Sequence, residues 1–322
     1  AALAPLLRLD EAETAAALRA AHLCKADLAT QMVVEMTSLQ GVIGRVYALR
    51  SGEPEEAARA IFEHYFPAGT LPARPGLAVG AADRLDSLVG LFAIGLAPSG
   101  AKDPFALRRA ALGLVQTLLA QTVSFDLRAG LAAAAQVQPV PVSAAVLAEC
   151  LDYLRGRLRG VLIESGLRYD VADAALGERG HDPALARQAA LELADWAARP
   201  DWPQTLAAYS RCVRITREFH EIFPLDPDAF TEPAERALYE AVVGVGTLAI
   251  RWRTYPAAVQ SAQSVDQFFA AFTPIIPVVS RFFDEVLVMA DDPAVRRNRL
   301  GLLQRIAALT RGVVDLSKVE GF

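Results

Sequence analysis

Apolar side chains recur along most of this chain at intervals of three and four residues, and alternating strand patterns are nearly absent. A clear series is Leu147, Leu151, Leu154 and Leu158. This spacing places apolar side chains along one face of a helix. The segment from Val137 to Val142 alternates in character but contains two prolines, which a central strand does not tolerate. The pattern therefore predicts an all-α chain.

Helix start signals punctuate the same pattern. Most combine a capping or acidic residue with a proline, which suits a first turn because its missing N–H has no partner there. They are Asp10-x-x-Glu13, Glu53-Pro54, Asp103-Pro104, Asp182-Pro183, Glu232-Pro233 and Asp292-Pro293. Their spacing predicts three parts, over residues 1–125, 126–201 and 202–322. Connecting loops are predicted at Ala68 to Gly76 and at Phe223 to Thr231, which are rich in proline, glycine or aspartate.

Composition and charge narrow the classes of partner. The 322 residues are 53% hydrophobic and 21% charged, as in globular proteins. The longest apolar stretches, such as Phe268 to Ser280, are short and contain prolines, so we expect no membrane span. The 37 acids outweigh 32 basic residues, for a net charge of -5. Binding to nucleic acid would therefore depend on local basic faces and not on global charge.

Cysteine usage and the start of the chain bear on location. Cys24, Cys150 and Cys212 are far apart and show no C-x-x-C spacing. We expect buried thiols in a reducing cytoplasm, with neither a disulfide framework nor a zinc site. Because helical sequence follows almost directly after Ala1, we interpret the chain as part of a longer protein.

The segment from Asp83 to Gly113 combines features that do not follow from one another. An apolar helix with two acids leads into a loop, after which Asp103-Pro104 is expected to open a second helix. The first turns of that helix carry Arg108 and Arg109. Free backbone N–H groups at the helix start, with Lys102 beside them, predict a candidate anion site.

A nucleotide-binding loop is an alternative interpretation of the same segment, since Gly95 and Gly100 have the spacing of G-x-x-x-x-G. However, Lys102 comes one position late, and Asp103 would place a carboxylate in the phosphate pocket. No strand is predicted before the loop, as that motif requires. The sequence therefore argues against a phosphate-binding loop of this type.

Catalytic constellations are difficult to assemble from this chain. A metal-dependent phosphohydrolase needs several imidazoles and carboxylates around its cations, with an adjacent His-Asp pair. Of the four histidines, His181 alone precedes an aspartate, and that pair stands at a helix start. For Asp27, Asp83 and Asp86 we expect helix caps or ion pairs. No serine or cysteine follows a strand in a nucleophile elbow, so we predict no catalytic residue and no metal site.

Rows of arginines on predicted helices indicate a function more clearly than the catalytic motifs do. Arg211, Arg214 and Arg217 recur every three residues on one predicted helix. A second set lies near the end of the chain and consists of Arg281, Arg296, Arg297, Arg299 and Arg305. Arginine pairs bidentately with phosphate and stacks on bases, so these faces suit RNA. The alternative is a solvated face whose arginines pair with nearby acids such as Glu218 and Glu221.

Several motifs resemble, in the same order, those of the beta subunit of bacterial glycyl-tRNA synthetase. They are KADLATQMV (25–33), LQGVIG (39–44), EHY (63–65), the segment 83–113, VMADD (288–292), RNRLGLL (297–303) and VDLS (314–317). The resemblance includes both ends of the chain, whereas the middle, from Ala132 to Trp202, matches more loosely.

This resemblance implies the C-terminal portion of that subunit. It implies an HD-type helical domain over 1–125, a helical connecting region over 126–201 and an anticodon-binding helical bundle over 202–322. In that family the alpha subunit carries the active site, with ATP and magnesium, and the beta subunit binds and positions tRNA(Gly). The resemblance thus implies a subunit of glycine–tRNA ligase without a catalytic centre or cofactor of its own.

Site residues follow from combining the resemblance with the arginine stripes. We expect Arg211, Arg214, Arg217, Arg296 and Arg299 to belong to the anticodon-side surface. Lys102, Arg108 and Arg109 are expected to contact the body or acceptor arm of the tRNA, unless the two arginines pair with Asp83 or Asp86. An HD-type metal-dependent phosphohydrolase and a helical scaffold for the alpha subunit are the alternative functions.

Overall fold

The computed structural model describes residues 1–66, 70–98, 102–244 and 264–322, and within these ranges it contains helices and no β-strand. The predicted all-α class is confirmed. The chain forms two compact units, here called unit 1 (Ala1–Leu162 and Gly180–Leu185) and unit 2 (Ile163–Arg179 and Ala186–Phe322). The three-part division, and the HD-type and anticodon-binding character of its parts, stay predictions.

Unit 1 is organised around one long helix. Its helices are α1 (Glu11–Leu23), α2 (Gln31–Glu35), α3 (Val42–Arg50), α4 (Glu55–Glu63), α5 (Arg74–Ala93), α6 (Leu107–Gln121), α7 (Leu127–Ala135) and most of α8 (Ala144–Glu164). Helix α5 packs against α1, α4, α6 and α7. Its Leu85, Leu88 and Val89 are fully buried. The four neighbours of α5 therefore share one apolar core.

Unit 2 is a helical bundle with an aromatic core. Its helices are α9 (Tyr169–Arg179), α10 (Pro183–Ala197, from Ala186 onward), α11 (Trp202–Thr216), α12 (Pro233–Gly244), α13 (Val265–Phe272), α14 (Ile276–Glu285) and α15 (Pro293–Ala307). Helix α11 packs on α15, and α12 packs on α14. Phe268 stacks on Phe272 with 5.4 Å between ring centroids. The buried Tyr209 hydroxyl donates to Ala307 O across 2.6 Å, which joins α11 to α15.

Most predicted helix starts are confirmed. Asp10 and Glu13 form a reciprocal capping box at α1. The Asp292 carboxylate accepts from Ala294 N across 2.7 Å at the start of α15. Helices α10 and α12 begin at the predicted prolines, and α4 begins directly after Pro54. Side-chain capping thus accounts for the starts of α1 and α15, whereas Pro54 at the start of α4 makes no side-chain cap.

Two predicted boundaries are wrong. Helix α6 begins at Leu107 and not at Asp103-Pro104, because Ala106 has a left-handed backbone with φ of 56°. Helix α5 begins at Arg74, so it includes the end of the predicted loop 68–76, whose first two residues lie outside the described ranges. The loop 223–231 contains one 3₁₀ turn, Pro227–Ala229.

The leucine series lies on α8 as predicted, but the buried side is shifted. The fully buried positions are Cys150, Leu154, Leu158 and Leu162. Leu147 and Leu151 are half-buried. The three cysteines are free and buried, as expected. In the described part of the chain, no helix combines the length and apolarity that crossing a membrane requires.

Candidate functional site

The arginine stripe lies on the solvent-facing side of α11. This helix buries Trp202, Leu206 and Tyr209 in the core of unit 2. Arg211 and Arg214 occupy the opposite, exposed side, and the exposed Arg217 is the C-cap residue directly after the helix. The amphipathic pattern of α11 therefore places Arg211 and Arg214 in solvent, and Arg217 is exposed at the end of the same helix.

The stripe arginines form no ion pair with any residue in the described ranges. Arg211 instead lies over the ring of Phe283, 4.4 Å from its centroid, and Arg214 lies 5.9 Å from the centroid of Phe322. Nearby arginines of unit 2 differ, since Arg281 pairs with Glu285 and Arg199 pairs with Asp201. Within the described residues, the stripe is therefore a solvated face, as the alternative also states, but it lacks the ion pairs with neighbouring acids that the alternative predicts.

Arg299, predicted at the same surface, is buried inside unit 2. Its Nε donates to Glu235 Oε1 across 2.9 Å, and its other donors reach Leu287 O at 2.8 Å and Thr231 Oγ1 at 3.0 Å. Burial favours the neutral form of Glu235, but Arg299 and two backbone N–H groups outweigh it and lower the pKa of that carboxyl. Arg299 therefore ties α15 to the start of α12.

The remaining arginines of α15 are engaged to different degrees. Arg297 pairs with Glu221 and lies 5.3 Å from the ring centroid of Phe223. Arg305 donates to the carbonyls of Phe223 and Gly301. Arg296 is half-buried, with one long contact of 3.4 Å to Ala290 O. Of this second set, Arg296 keeps the most capacity for an external anion.

The predicted anion site at the start of α6 is wrong. Asp103 Oδ1 accepts from Leu107 N at 2.8 Å, and its Oδ2 accepts from Arg108 N at 2.9 Å. The chain's own carboxylate thus takes the N–H groups that a phosphate would need. Lys102 and Arg109 are exposed, and Arg108 is half-buried.

The structure argues against a nucleotide-binding loop in the segment after α5. Helix α5, not a strand, precedes the loop, whereas that motif needs a strand. Gly95 has a left-handed backbone directly after this helix, and Gly100 lies outside the described residues.

The three acids of the first predicted domain have structural partners. Asp27 Oδ2 accepts from Gly41 N at 2.6 Å. Asp86 accepts from Gln138 Nε2 at 2.7 Å, and Asp83 pairs with Lys25. The expected ion pair is confirmed at Asp83, with Lys25 as its cation, whereas Asp27 and Asp86 accept hydrogen bonds without forming a helix cap or an ion pair in the described residues.

Lys25 forms the centre of a polar cluster that sequence reasoning missed. Its Nζ lies 3.0 Å from Asp83 Oδ1, 3.2 Å from His64 Nε2 and 4.4 Å from the Tyr65 ring centroid. Because an ammonium only donates, His64 Nε2 accepts and its Nδ1–H donates to Ile61 O across 2.7 Å. Burial, then the charge of Lys25, lowers the pKa of His64 to about 4. The sequence signal that could have revealed this cluster was Lys25 itself, a rare lysine in this chain that stands within the motif KADLATQMV (25–33).

A cavity of about 410 Å³ lies beside this cluster within unit 1. Its walls are mainly alanine and leucine side chains of α1, α5 and α7, and its charged lining residues are Lys25, Asp83 and Asp86. Within the described ranges, no three His, Cys, Asp or Glu side chains are grouped so that they could hold a metal ion.

Comparison with known proteins identifies the family. Residues 1–177 match the family model described as "Glycyl-tRNA synthetase beta subunit", which is more than half of the chain. This chain belongs to the glycyl-tRNA synthetase beta subunit family. The matched range includes Lys25, His64 and Asp83 of the polar cluster.

Relatives of this family agree over nearly the whole chain. The glycine–tRNA ligase beta subunit of Desulforudis audaxviator is 40% identical over 98% of this chain and 46% of its own length. That of Aromatoleum aromaticum is 41% identical over 96% and 44%. The Arabidopsis thaliana protein "Glycine--tRNA ligase, chloroplastic/mitochondrial 2" is 35% identical over 98% and 29%. The chain thus spans half or less of the length of these relatives.

Proposed function

We propose that this chain is the tRNA-binding portion of a glycyl-tRNA synthetase beta subunit. It binds tRNA(Gly) and positions it for glycylation at the active site of an alpha subunit. The observation that carries this proposal is the exposed stripe of Arg211, Arg214 and Arg217, which has no ion pair in the described residues. Membership of the family supports it.

The physical basis is a local positive face on an acidic chain. The net charge is -5, so unpaired arginines stand out against their surroundings. Side chains three residues apart on a helix have Cβ atoms about 5–6 Å apart, which lets neighbouring guanidinium groups bind successive phosphates. Each guanidinium presents a fork that matches a phosphate, and its flat face stacks on a base.

Arg296 is the second candidate at this surface, since it keeps free capacity. Lys102, Arg108 and Arg109 are proposed contacts to the tRNA body or acceptor arm. We leave Arg299 out, because Glu235 and two oxygen acceptors occupy its donors. Glycine activation, with ATP and magnesium, is assigned to the alpha subunit, and this chain is proposed to hold no cofactor. A cytoplasmic location stays a prediction.

Filter binding of tRNA(Gly) and of an unrelated tRNA, at two salt concentrations, tests the proposal. Replacing Arg211, Arg214 and Arg217 together by alanine should weaken tRNA(Gly) binding by about tenfold or more, because phosphate contacts are lost. The matched control replaces Arg199, Arg281 and Arg297, which removes the same charge from arginines that are already ion-paired.

The two variants separate a local surface from a general charge effect. We expect the control to retain affinity within about threefold, because screened, paired charges contribute little. Equal losses in both variants would contradict a specific stripe. Binding of the alpha subunit without any binding of tRNA would favour the scaffold, and nucleotide hydrolysis with a tightly bound metal would favour the phosphohydrolase.

A further inference from the structure

The polar cluster in unit 1 has the donor set of a metal centre with an ammonium at its middle. An imidazole nitrogen and a carboxylate oxygen, from His64 and Asp83, both contact Lys25 Nζ, at 3.2 Å and 3.0 Å. Imidazole and carboxylate are ordinary ligands for divalent metals. Here both groups are satisfied by the chain's own cation.

The orientation of His64 strengthens this comparison. The side chain is 2% exposed, and its Nδ1–H donates to the backbone carbonyl of Ile61. A metal-binding histidine is typically fixed in the same way, with one ring N–H held by a carbonyl and the other nitrogen free to ligate. The lone pair of His64 Nε2 is therefore presented to the point that Lys25 Nζ occupies.

The Lys25 ammonium also contacts an aromatic ring. Its Nζ lies 4.4 Å from the centroid of the Tyr65 ring, a distance at which a ring face attracts a cation. Lys25 thus meets a neutral nitrogen, a carboxylate and an aromatic face, and each of these favours a positive charge at that point.

Lys25 and Asp83 are each 42% exposed, so the cluster lies at the surface of unit 1. We propose that the ammonium of Lys25 replaces a divalent cation at this centre, so that the chain's own charge satisfies His64 and Asp83 and closes the centre to metal. Zinc would need Nε2 and carboxylate oxygen at about 2.0–2.2 Å, so it cannot share the space that Nζ fills. The proposal is independent of tRNA binding, because it concerns Lys25, His64 and Asp83 and no residue of the stripe.

Cobalt binding to the full chain tests this assignment. In Lys25→His an imidazole replaces the ammonium, which brings the donor set to three, the number of protein ligands in catalytic zinc sites. We expect this variant to bind one Co²⁺ per chain by calorimetry, with a visible absorption band. The matched control Lys25→His with His64→Ala should bind about 100-fold more weakly or not at all, since a fixed ligand is lost.

Co²⁺ binding is also measured on the unchanged chain, in which Lys25 is present. This chain should show no saturable Co²⁺ site, and a single site that disappears in His64→Ala would overturn the proposal. A Lys25→His variant that is folded by circular dichroism yet binds no Co²⁺ would overturn it as well.

Chemical rescue covers the case in which that variant does not fold. Lys25→Ala should melt at a lower temperature than the unchanged chain, and propylammonium chloride should recover part of the loss, because it returns an ammonium to the space that the lysine side chain leaves beside His64 and Asp83. Sodium chloride at the same ionic strength should not. Equal effects of the two salts would contradict a role for the Lys25 ammonium at this centre.

Discussion

Arg299 donates from Nε to Glu235 Oε1 across 2.9 Å, and both side chains are buried. The two residues are 64 positions apart in the chain. Glu235 also accepts the backbone N–H groups of Thr231 and Glu232, so the carboxylate is fully used. The same residue type that forms the exposed stripe on α11 thus becomes an internal connection on α15.

Breaking this buried pair should be costly. Arg299→Ala leaves the Glu235 carboxylate buried without its cation, and we expect the free energy of unfolding to fall by about 3–5 kcal/mol. Chemical denaturation measures this change. The control is Arg281→Ala, whose pair with Glu285 is solvent-exposed, and it should cost less than about 1 kcal/mol. Similar losses in both variants would contradict a stabilising role for the buried pair.

The salt dependence of tRNA binding should show whether an individual stripe arginine contacts a phosphate. Arg214→Ala removes one proposed phosphate contact, so the slope of log affinity against log salt should become shallower by about 0.7. The same variant should unfold within about 0.5 kcal/mol of the unchanged chain, because Arg214 is on the surface. Arg199→Ala serves as the paired-arginine control and should keep the original slope. An unaltered slope for Arg214→Ala would remove Arg214 from the interface.

Stability should depend on pH through His64. Its pKa is about 4 in the folded chain, against an ordinary value of 6.5, so the unfolded chain takes up the proton first. The contribution of His64 to the free energy of unfolding is therefore fully present above pH 6.5. It is lost as the pH falls towards 4, and the loss is about 3 kcal/mol at most.

Denaturation at pH 7.5 and pH 4.5 checks this expectation. His64→Gln should reduce the difference between the two conditions, because the titrating group is removed. His22→Gln replaces an exposed histidine and should preserve the difference. A difference that His64→Gln leaves untouched would assign the pH dependence to other groups.

Two helical glycines should respond oppositely to alanine. A Cβ at Gly301 of α15 would collide with the carbonyl oxygen of Pro224, and backbone cannot move as a side chain can. We expect Gly301→Ala to lose about 1–3 kcal/mol of stability. Gly160 of α8 faces open space, so Gly160→Ala should gain about 0.5–1 kcal/mol. Thermal unfolding of both variants measures the contrast, and a stable Gly301→Ala would show that the loop at Pro224 yields.

Much of the fold could be predicted because its signals are local. Asp10 and Asp292 cap helices a few residues away, and such bonds form wherever the sequence places them. The start of α6 failed for an equally local reason, the left-handed Ala106, which leaves no mark in the apolar pattern. Because the helix start was misplaced, the sequence also failed to predict that Asp103 accepts the backbone N–H groups of Leu107 and Arg108.

The sequence by itself determined the all-α class, the exposed positions of Arg211 and Arg214 on α11 and of Arg217 at its C-cap, and the resemblance that the family comparison confirmed. The tertiary structure alone decided which charges are already neutralised. Arg299 meets Glu235, and Lys25 meets His64 from 39 positions away, because packing brings these partners together. Periodicity reports which side of a helix faces inward, whereas an ion pair depends on which distant side chain arrives at that side.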